Sequence, residues 1–432
     1  MNKRASFGSK IGAILVAAGS AIGLGSIWRF PYMTGENGGG AFLLVYLLSV
    51  LIVGIPVMLA EFAIGTHTRK SPVKAYDQLS PRWKWLGFNS VVVSLLISGF
   101  YYIVAGWSLE YFISSANGVL YSVGDFHQHF AAFTDSWREP FYTVVFVAMT
   151  HAVVDMGVQN GLERISKIAM PVLLIMLIVL VAHSASMPGA AEGYRFLFQP
   201  DFSKAFSVKT IVSAIGQAFF SLSIGLGCMI AYSSYFKEGT NLTKTSFSVS
   251  LMTFIVAMLS GMVIFPAVFS VEGLEPTVGP TLLFETMPFI FAEMPAASLW
   301  SSIFFLLVIL AALTSTISFH EVLTQYLQEN HNIARRKAAC ITSLATITLS
   351  VLCLKWGWFF DTFDVITADV LMPVGGLLTS IFAGWVLDRK VFRNEISNHG
   401  TLRAQLFPLL VFTLKWVAPI LLSVVFVWNL VF

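Results

Sequence analysis

Three successive hydroxyls, Thr314-Ser315-Thr316, sit in an apolar stretch that carries no charged residue from 298 to 320. In a helix each can satisfy itself by bonding back to a carbonyl one turn earlier. Beside carbonyls released by an unwound helix, they can instead contribute to a small oxygen cage. Hard cations take oxygen ligands, and the lack of a nearby carboxylate suits a monovalent ion better than Ca²⁺ or Mg²⁺. A source of free carbonyls lies upstream in residues 20–26, SAIGLGS, inside a charge-free run over 11–28. Gly23 and Gly25 each cost about 1 kcal/mol against Ala in a helix interior. In hydrocarbon a broken helix strands N–H and C=O groups, which is tolerated only where they line a cavity or meet a ligand. The same letters return as Ile224-Gly225-Leu226-Gly227. Two glycine-interrupted spans in corresponding halves of a chain point to the binding site of a secondary transporter. Arg29 follows the first break, and a buried arginine needs an acid or backbone partner; Asp364 and Asp369 are the available acids. Glu61, isolated in an apolar run, is suited to accept hydrogen bonds from backbone freed by a broken helix.

Composition puts these residues in a bilayer. Of 432 residues, 56% are hydrophobic and 11% charged, with mean hydropathy +0.77. A soluble chain carries about twice that charge. The net charge of +3 does not indicate nucleic acid, because the basic residues are scattered among short connections. Cys228, Cys340 and Cys353 show neither disulfide nor metal spacing and read as small core hydrophobes. No cleavable signal is expected, since the first apolar run is too long for a signal core.

Charge-free runs predict eleven spans, near 11–28, 38–60, 85–109, 141–154, 168–187, 210–236, 245–271, 298–320, 338–354, 370–387 and 405–431. With the N-terminus inside, 19 of the 26 Lys and Arg residues fall in cytoplasmic segments and 5 outside. That asymmetry sets the N-terminus in the cytoplasm and the C-terminus outside, in the cell's plasma (inner) membrane. Among the outer connections, 272–297 is acidic and proline-punctuated, with a short helix expected over 281–287 and a structured lid as the result.

The run GSAIGLGSIWRFPYMTGENGGGAF, residues 19–42, resembles the first-span signature of the neurotransmitter:sodium symporter family. The resemblance extends over essentially the whole chain, including GQAFFSLS at 216–223, Leu313-Thr314-Ser315, and the spacing of Gly161 and Pro171. It implies an all-α integral membrane fold of eleven transmembrane helices. Spans 1–5 and 6–10 form two inverted five-helix repeats, with helices 1 and 6 broken. The first repeat covers 1–187, an outer loop 188–207, the second repeat with its lid 208–390, and the eleventh span 391–432. The implied activity is Na⁺-driven uptake of a small molecule by alternating access, with the bilayer as surroundings, no nucleic-acid partner, and a monomer or homodimer as the working unit.

Carried over residue by residue, the resemblance gives a second sodium site from the carbonyls of Gly19, Ile22 and Ala311 and the hydroxyls of Thr314 and Ser315. The first sodium site would use Ala21, Ser26, Ser221 and Thr253. Ser26 and Thr253 stand where the family usually has amide or acidic side chains, so this site is expected to be weak or absent. Substrate would lie against Ala21, Gly23, Leu24 and Gly25, then Tyr101, Phe220, Ser221, Ser223 and Leu226, with Ile97 and Phe319 beside its side chain. Members that take amines without a carboxylate have an aspartate at the place of Gly23. Glycine leaves room for a substrate carboxylate, held by helix-end N–H groups, so a neutral hydrophobic or aromatic amino acid is implied. Leu226 replaces a phenylalanine of the leucine-transporting branch and softens the pocket. Arg29 with Asp364 resembles the outer gate, capped by Tyr101 and Phe220; Arg4 with Glu329, supported by Tyr235 and Phe7, resembles the inner one. Tyr46, Gln217 and Ser221 match part of the family's chloride site, so chloride is a candidate co-ion.

Proton-coupled or chloride-assisted uptake is the alternative within transport. A non-transporting amino-acid sensor is the alternative outside it. An enzyme is not expected, as no metal-binding His/Glu motif is present and His151, His183 and His320 read as packed or span-end residues.

Overall fold

A computed structural model describes residues 5–271 and 283–431. Among them there are helices and no strand, only one antiparallel bridge between Gly39 and Pro200. The chain runs α1 (Lys10–Ala21), α2 (Gly25–Glu36), α3 (Gly40–Thr68), α4 (Pro72–Leu79) and α5 (Pro81–Ala116). It continues with α6 (Phe126–Thr134), α7 (Arg138–Asp155), α8 (Val158–Ser184), α9 (Ala190–Phe198), α10 (Val208–Ser221) and α11 (Cys228–Ser233). The last part holds α12 (Leu242–Phe269), α13 (Thr286–Ala292), α14 (Ala297–His331), α15 (Arg335–Lys355), α16 (Gly357–Val386), α17 (Arg389–Ile396) and α18 (Phe407–Val431).

Eight of these helices are each long and apolar enough to cross a bilayer, and α1 with α2, bent by 56°, would make a ninth. The other two expected spans fall on α7 and on the pair α10 and α11. Among its 18 residues α7 carries Arg138, Glu139 and Asp155, and α10 stops at Ser221 before α11 resumes at Cys228. Helix starts are marked by local chemistry. Ser9 and Asn241 accept hydrogen bonds from the Gly12 and Lys244 N–H groups and cap α1 and α12, satisfying donors that have no partner inside the helix.

The layers sort by burial. In α14, 78% of the apolar window is buried and in α5 72%, against 33% in α8 and α18. The first two therefore form the centre, packed against each other, and the latter two the lipid-facing rim. Close approach needs glycine at defined points. A Cβ on Gly106 of α5 would lie 2.7 Å from the Thr143 backbone nitrogen of α7. Buried polar links tie helices together. Glu321 of α14 takes a two-pronged bond from Arg335 of α15, whose guanidinium also donates to the Val154 carbonyl at 2.9 Å. His320 donates or accepts at Thr324 and Ser343, His151 meets the same Ser343, and His183 stacks on Trp300. All three histidines are thus packed, as expected. Of the cysteines, Cys228 and Cys353 are buried but Cys340 is exposed, so it is no core residue.

Residues 272–282 of the segment expected to form a lid, and with them the start of the helix expected over 281–287, lie outside the described ones. A helix covers Thr286–Ala292, with Pro288 in its first turn, where proline is tolerated. Met287, Ile290 and Phe291 are buried, and Phe291 packs on Phe304 of α14. His127 of α6 meets Glu285 at 3.0 Å, and that carboxylate raises the imidazole's proton affinity above its usual value.

Replacing Gly106 by Val should cost about 1–3 kcal/mol, the usual range for overpacking a dense contact. Thermal unfolding in detergent would read this as a lowered midpoint, while an unchanged midpoint would mean that α5 and α7 can separate freely.

Candidate functional site

The site is built on two breaks. Helix α1 ends as Ile22 turns out of helical geometry (φ −91°, ψ 83°), and α2 begins at Gly25 with a wide π turn over Gly25–Arg29. The second break follows Ser221, where Ser223, Gly225 and Gly227 all have positive φ, at 52°, 83° and 76°. Glycine is the residue that takes such backbone freely. At Gly225 a Cβ would also sit 2.5 Å from the Met372 carbonyl.

At each break, side chains answer freed backbone groups. The Leu24 N–H donates to the Tyr101 hydroxyl at 2.9 Å. The Gly225 N–H donates to Glu61 at 2.8 Å, the service expected of this lone acid. The breaks are also stitched to one another. Ser223 donates to the Ser20 carbonyl at 2.8 Å, and Gln217 donates to the Gly25 carbonyl at 2.7 Å.

Between the breaks lies a cavity of about 20 Å³ lined by Ser20, Ala21, Gly23, Gly25, Ile97, Tyr101, Phe220, Ser223, Leu226, Ser315, Phe319 and Met372. No charged side chain is among them. Of the expected substrate residues, all but Leu24 and Ser221 line it; Leu24 touches Tyr101 and Ser221 bonds to Tyr46 at 2.7 Å. Gly23 has no room for a side chain, since a Cβ would come 2.1 Å from the Ser315 hydroxyl and 2.7 Å from that of Tyr101. Phe319 meets Tyr101 edge to face at 5.3 Å.

The oxygen-rich patch is adjacent. Thr314 donates to the Ala311 carbonyl at 3.0 Å, and Ser315 donates to the Ser20 carbonyl at 3.3 Å. A Cβ on Gly19 would lie 3.2 Å from that of Thr314. Gly19, Ala311, Thr314 and Ser315 therefore face one another across α1 and α14, with Ile22 at the frayed end of α1. The other expected ion set is less gathered. Ser26 stands 3.5 Å from the Ala21 carbonyl, Ser221 is engaged by Tyr46, and Thr253 donates back to Val249 within its own helix at 2.9 Å.

Beside the cavity the Arg29 guanidinium lies 4.6 Å from the centre of the ring of Phe220, which lines it. Its nearest carboxylate is Asp369, at 3.8 Å, rather than the expected Asp364. Asp369 lies within the π turn Ile366–Leu371, whose wider pitch brings it toward the face of Asp364 in the turn before. Of the residues expected to form the inner gate, Arg4 lies outside the described residues. Glu329 accepts from the Ser71 N–H at 2.8 Å, while Tyr235 donates to Glu321 at 2.7 Å. The Phe7 N–H donates to the Tyr235 carbonyl at 2.9 Å, and its ring packs on Tyr232, Tyr235 and Phe236.

Residues 4–123 and 126–432 match the sodium:neurotransmitter symporter family. The chain belongs to that family. It is 36% identical over 446 residues to an uncharacterized sodium-dependent transporter of Bacillus subtilis, YhdH, covering 99% of this chain and 98% of that one. A second uncharacterized sodium-dependent transporter, from Haemophilus influenzae, is 32% identical over 99% of this chain and 98% of its own. Among solved structures, MhsT in complex with L-phenylalanine superposes with a TM-score of 0.91 at 36% identity, covering 98% of this chain and 99% of that one. The protein is thus a multi-pass membrane transporter of the symporter family and not an enzyme.

Three features of this symporter were missed in its sequence. Met372 lines the cavity because its helix packs on the second break, and an apolar residue in an apolar span carries no signal of that. Glu321, with Arg335, is the acid that engages Tyr235, one helical stretch before Glu329. Glu163 is the third. Its carboxylate accepts from the Gly8 N–H, from the Ser9 N–H at 3.1 Å and from the Ser9 hydroxyl at 2.9 Å, and pairs with Lys167 at 2.6 Å. It holds the N-terminal segment against the start of α8, and Gly12 must lack a side chain to admit it.

Substituting Glu163 by Ala should release residues 5–9. Losing a bond to a charged group costs about 1.5–3 kcal/mol, so trypsin cleavage at Lys10 should accelerate by at least about tenfold. An unchanged cleavage rate would show that the segment is held by other contacts.

Proposed function

We propose that this chain is a Na⁺-coupled symporter that takes up a neutral hydrophobic or aromatic L-amino acid by alternating access. The observation that carries the reading is the cavity itself, which lies at two helix breaks and has no charged side chain in its wall. A substrate carboxylate would meet N–H groups at the start of α2, where the helix dipole favours an anion. The Tyr101 hydroxyl, which accepts from Leu24, keeps its own proton to donate to it. The substrate's side chain would lie against Ile97, Phe220, Leu226, Phe319 and Met372. MhsT, similar over almost the whole chain, was solved with L-phenylalanine, which supports an aromatic or hydrophobic ligand here. The cavity, at about 20 Å³, holds roughly one water, so substrate entry requires Phe220, Leu226 or Phe319 to change rotamer.

Sodium, a co-substrate here, would bind where the Gly19, Ile22 and Ala311 carbonyls meet the Thr314 and Ser315 hydroxyls; a weaker second ion would use Ala21, Ser26, Ser221 and Thr253. Chloride assistance is a second reading favoured by one observation. Tyr46 and Ser221 place two hydroxyls 2.7 Å apart, one turn from Gln217, with no carboxylate between them. Eleven spans in two inverted repeats, 1–187 and 208–390, complete the reading, with an outer loop at 188–207, the last span within 391–432 and the N-terminus cytoplasmic. Arg29 with Asp364 and Asp369 would close the outer side; Arg4, Glu329 and Tyr235 would close the inner.

The test is uptake of radiolabelled phenylalanine, leucine, tryptophan, tyrosine, methionine and alanine into proteoliposomes, with an inward Na⁺ gradient and with K⁺ in its place. Uptake should collapse without Na⁺; equal uptake in both salts refutes the coupling. Thr314→Val combined with Ser315→Ala should abolish Na⁺-stimulated binding at little change in volume, and full retention would sink the ion placement. Leu226→Phe should shift preference toward smaller side chains, checked by competition. Replacing chloride by gluconate should slow uptake if the chloride reading holds, and unchanged uptake removes it.

A further inference from the structure

Away from the breaks, two adjoining cavities are left unused by transport. The first, about 530 Å³, is a cup formed by α17 and the segment after it, and its wall includes Lys390, Arg393 and Arg403. The second, about 640 Å³, is an apolar groove between α3, α12 and α18, bounded by Leu51, Ile55, Leu59, Phe247, Leu406 and Leu410. Arg403 and Ala404 belong to both walls, so the cup opens into the groove. Neither wall contains an aspartate or glutamate. Among the described residues none of the three cations forms an ion pair, and the neighbouring Glu395 is buried and turned to His67 at 3.1 Å.

We propose that this composite site holds one anionic phospholipid of the membrane leaflet at the Lys- and Arg-rich end of the protein, headgroup in the cup and an acyl chain in the groove. Charge and shape both select that occupant. Three unpaired cations around one hollow attract a phosphate and repel a cationic partner, and basic hollows beside membrane helices suit anionic headgroups. The groove is hydrocarbon-like, with Leu51, Phe247 and Leu406 exposed by 45%, 50% and 70%. Residues 51–59 extend about 12 Å along α3, enough to lie along much of one acyl chain. A single molecule with an anionic end and an apolar tail fills both spaces at once. A second copy of the chain would need carboxylates to meet the cup. The site shares no lining residue with the cavity between the breaks, and its occupancy is independent of the Na⁺-coupled reading.

Native mass spectrometry of the full chain, equilibrated with equal amounts of phosphatidylglycerol and phosphatidylcholine of the same acyl chains, tests this. The protein should retain one phosphatidylglycerol in clear excess over phosphatidylcholine. Lys390→Gln, Arg393→Gln and Arg403→Gln together should weaken that retention on the order of a hundredfold. Ile52→Trp, which narrows the groove and leaves the cup intact, should also remove the adduct. Arg336→Gln with Lys337→Gln, at the same end but outside the cup, should leave it unchanged. Retention by the triple variant or by Ile52→Trp, equal loss in the control, or a lipid-free dimer in the spectrum would each overturn the assignment. Circular dichroism of each variant separates lost binding from lost folding.

Discussion

Backbone satisfaction in a dry interior is the constraint on which this structure depends. Two helices stop at the middle of an apolar bundle, and water is not there to take up the N–H and C=O groups set free. Several of these orphans are answered by side chains from elsewhere in the bundle. Glu61 of α3 serves Gly225, Tyr101 of α5 serves Leu24, and Gln217 and Ser223 of the second break serve Gly25 and Ser20 of the first. The breaks are therefore a cross-linked pair. Two of the side chains that answer the backbone, Tyr101 and Ser223, also line the cavity, so the device that permits the breaks takes part in shaping the site.

That coupling explains why glycine is required where it occurs. At Gly23 any side chain would enter the space between the Ser315 and Tyr101 hydroxyls, and at Gly25 it would strike the Phe220 ring. At Gly225 the positive φ and the Met372 carbonyl act together. The left-handed Ser223 is the exception: it carries a side chain there, and its hydroxyl is bonded across to α1.

Much of this was legible because it rests on residue type against background. Glycine pairs, a lone acid and a hydroxyl triplet all stand out in an apolar run, and their partners follow from what a bilayer forbids. What stayed hidden depends on geometry with no compositional trace. The π turn at Ile366–Leu371 turns Asp369 toward Arg29, and a 3.6-residue period cannot show it. Glu163 lies four residues before Lys167, which reads as an ordinary helix-surface pair; only the fold brings Gly8 and Ser9 to it. Cys340 and Cys353 are each flanked by apolar residues, yet the rotation of α15 sends one outward and the other in.

The two clusters proposed to act as gates are held by contacts of unequal strength. In the first, Arg29 and Asp369 are 3.8 Å apart with side chains 25% and 39% exposed. Pairs of that kind contribute about 0–1 kcal/mol, and the guanidinium over Phe220 adds roughly 0.5–1 kcal/mol at such exposure. In the second, Glu321 is fully buried, shared by Arg335 and Tyr235, and the N-terminal segment is held by Glu163 and by Phe7 among three aromatic rings. Removing one partner of a buried ion pair costs about 3–5 kcal/mol. The contact at Arg29 is thus the one that thermal fluctuation breaks more readily, whereas the cluster at Phe7 requires several buried contacts to give way together. In the proposed transport cycle, a ligand crossing between the two would have to supply, through its own contacts at the breaks, most of the free energy needed to loosen the tighter cluster.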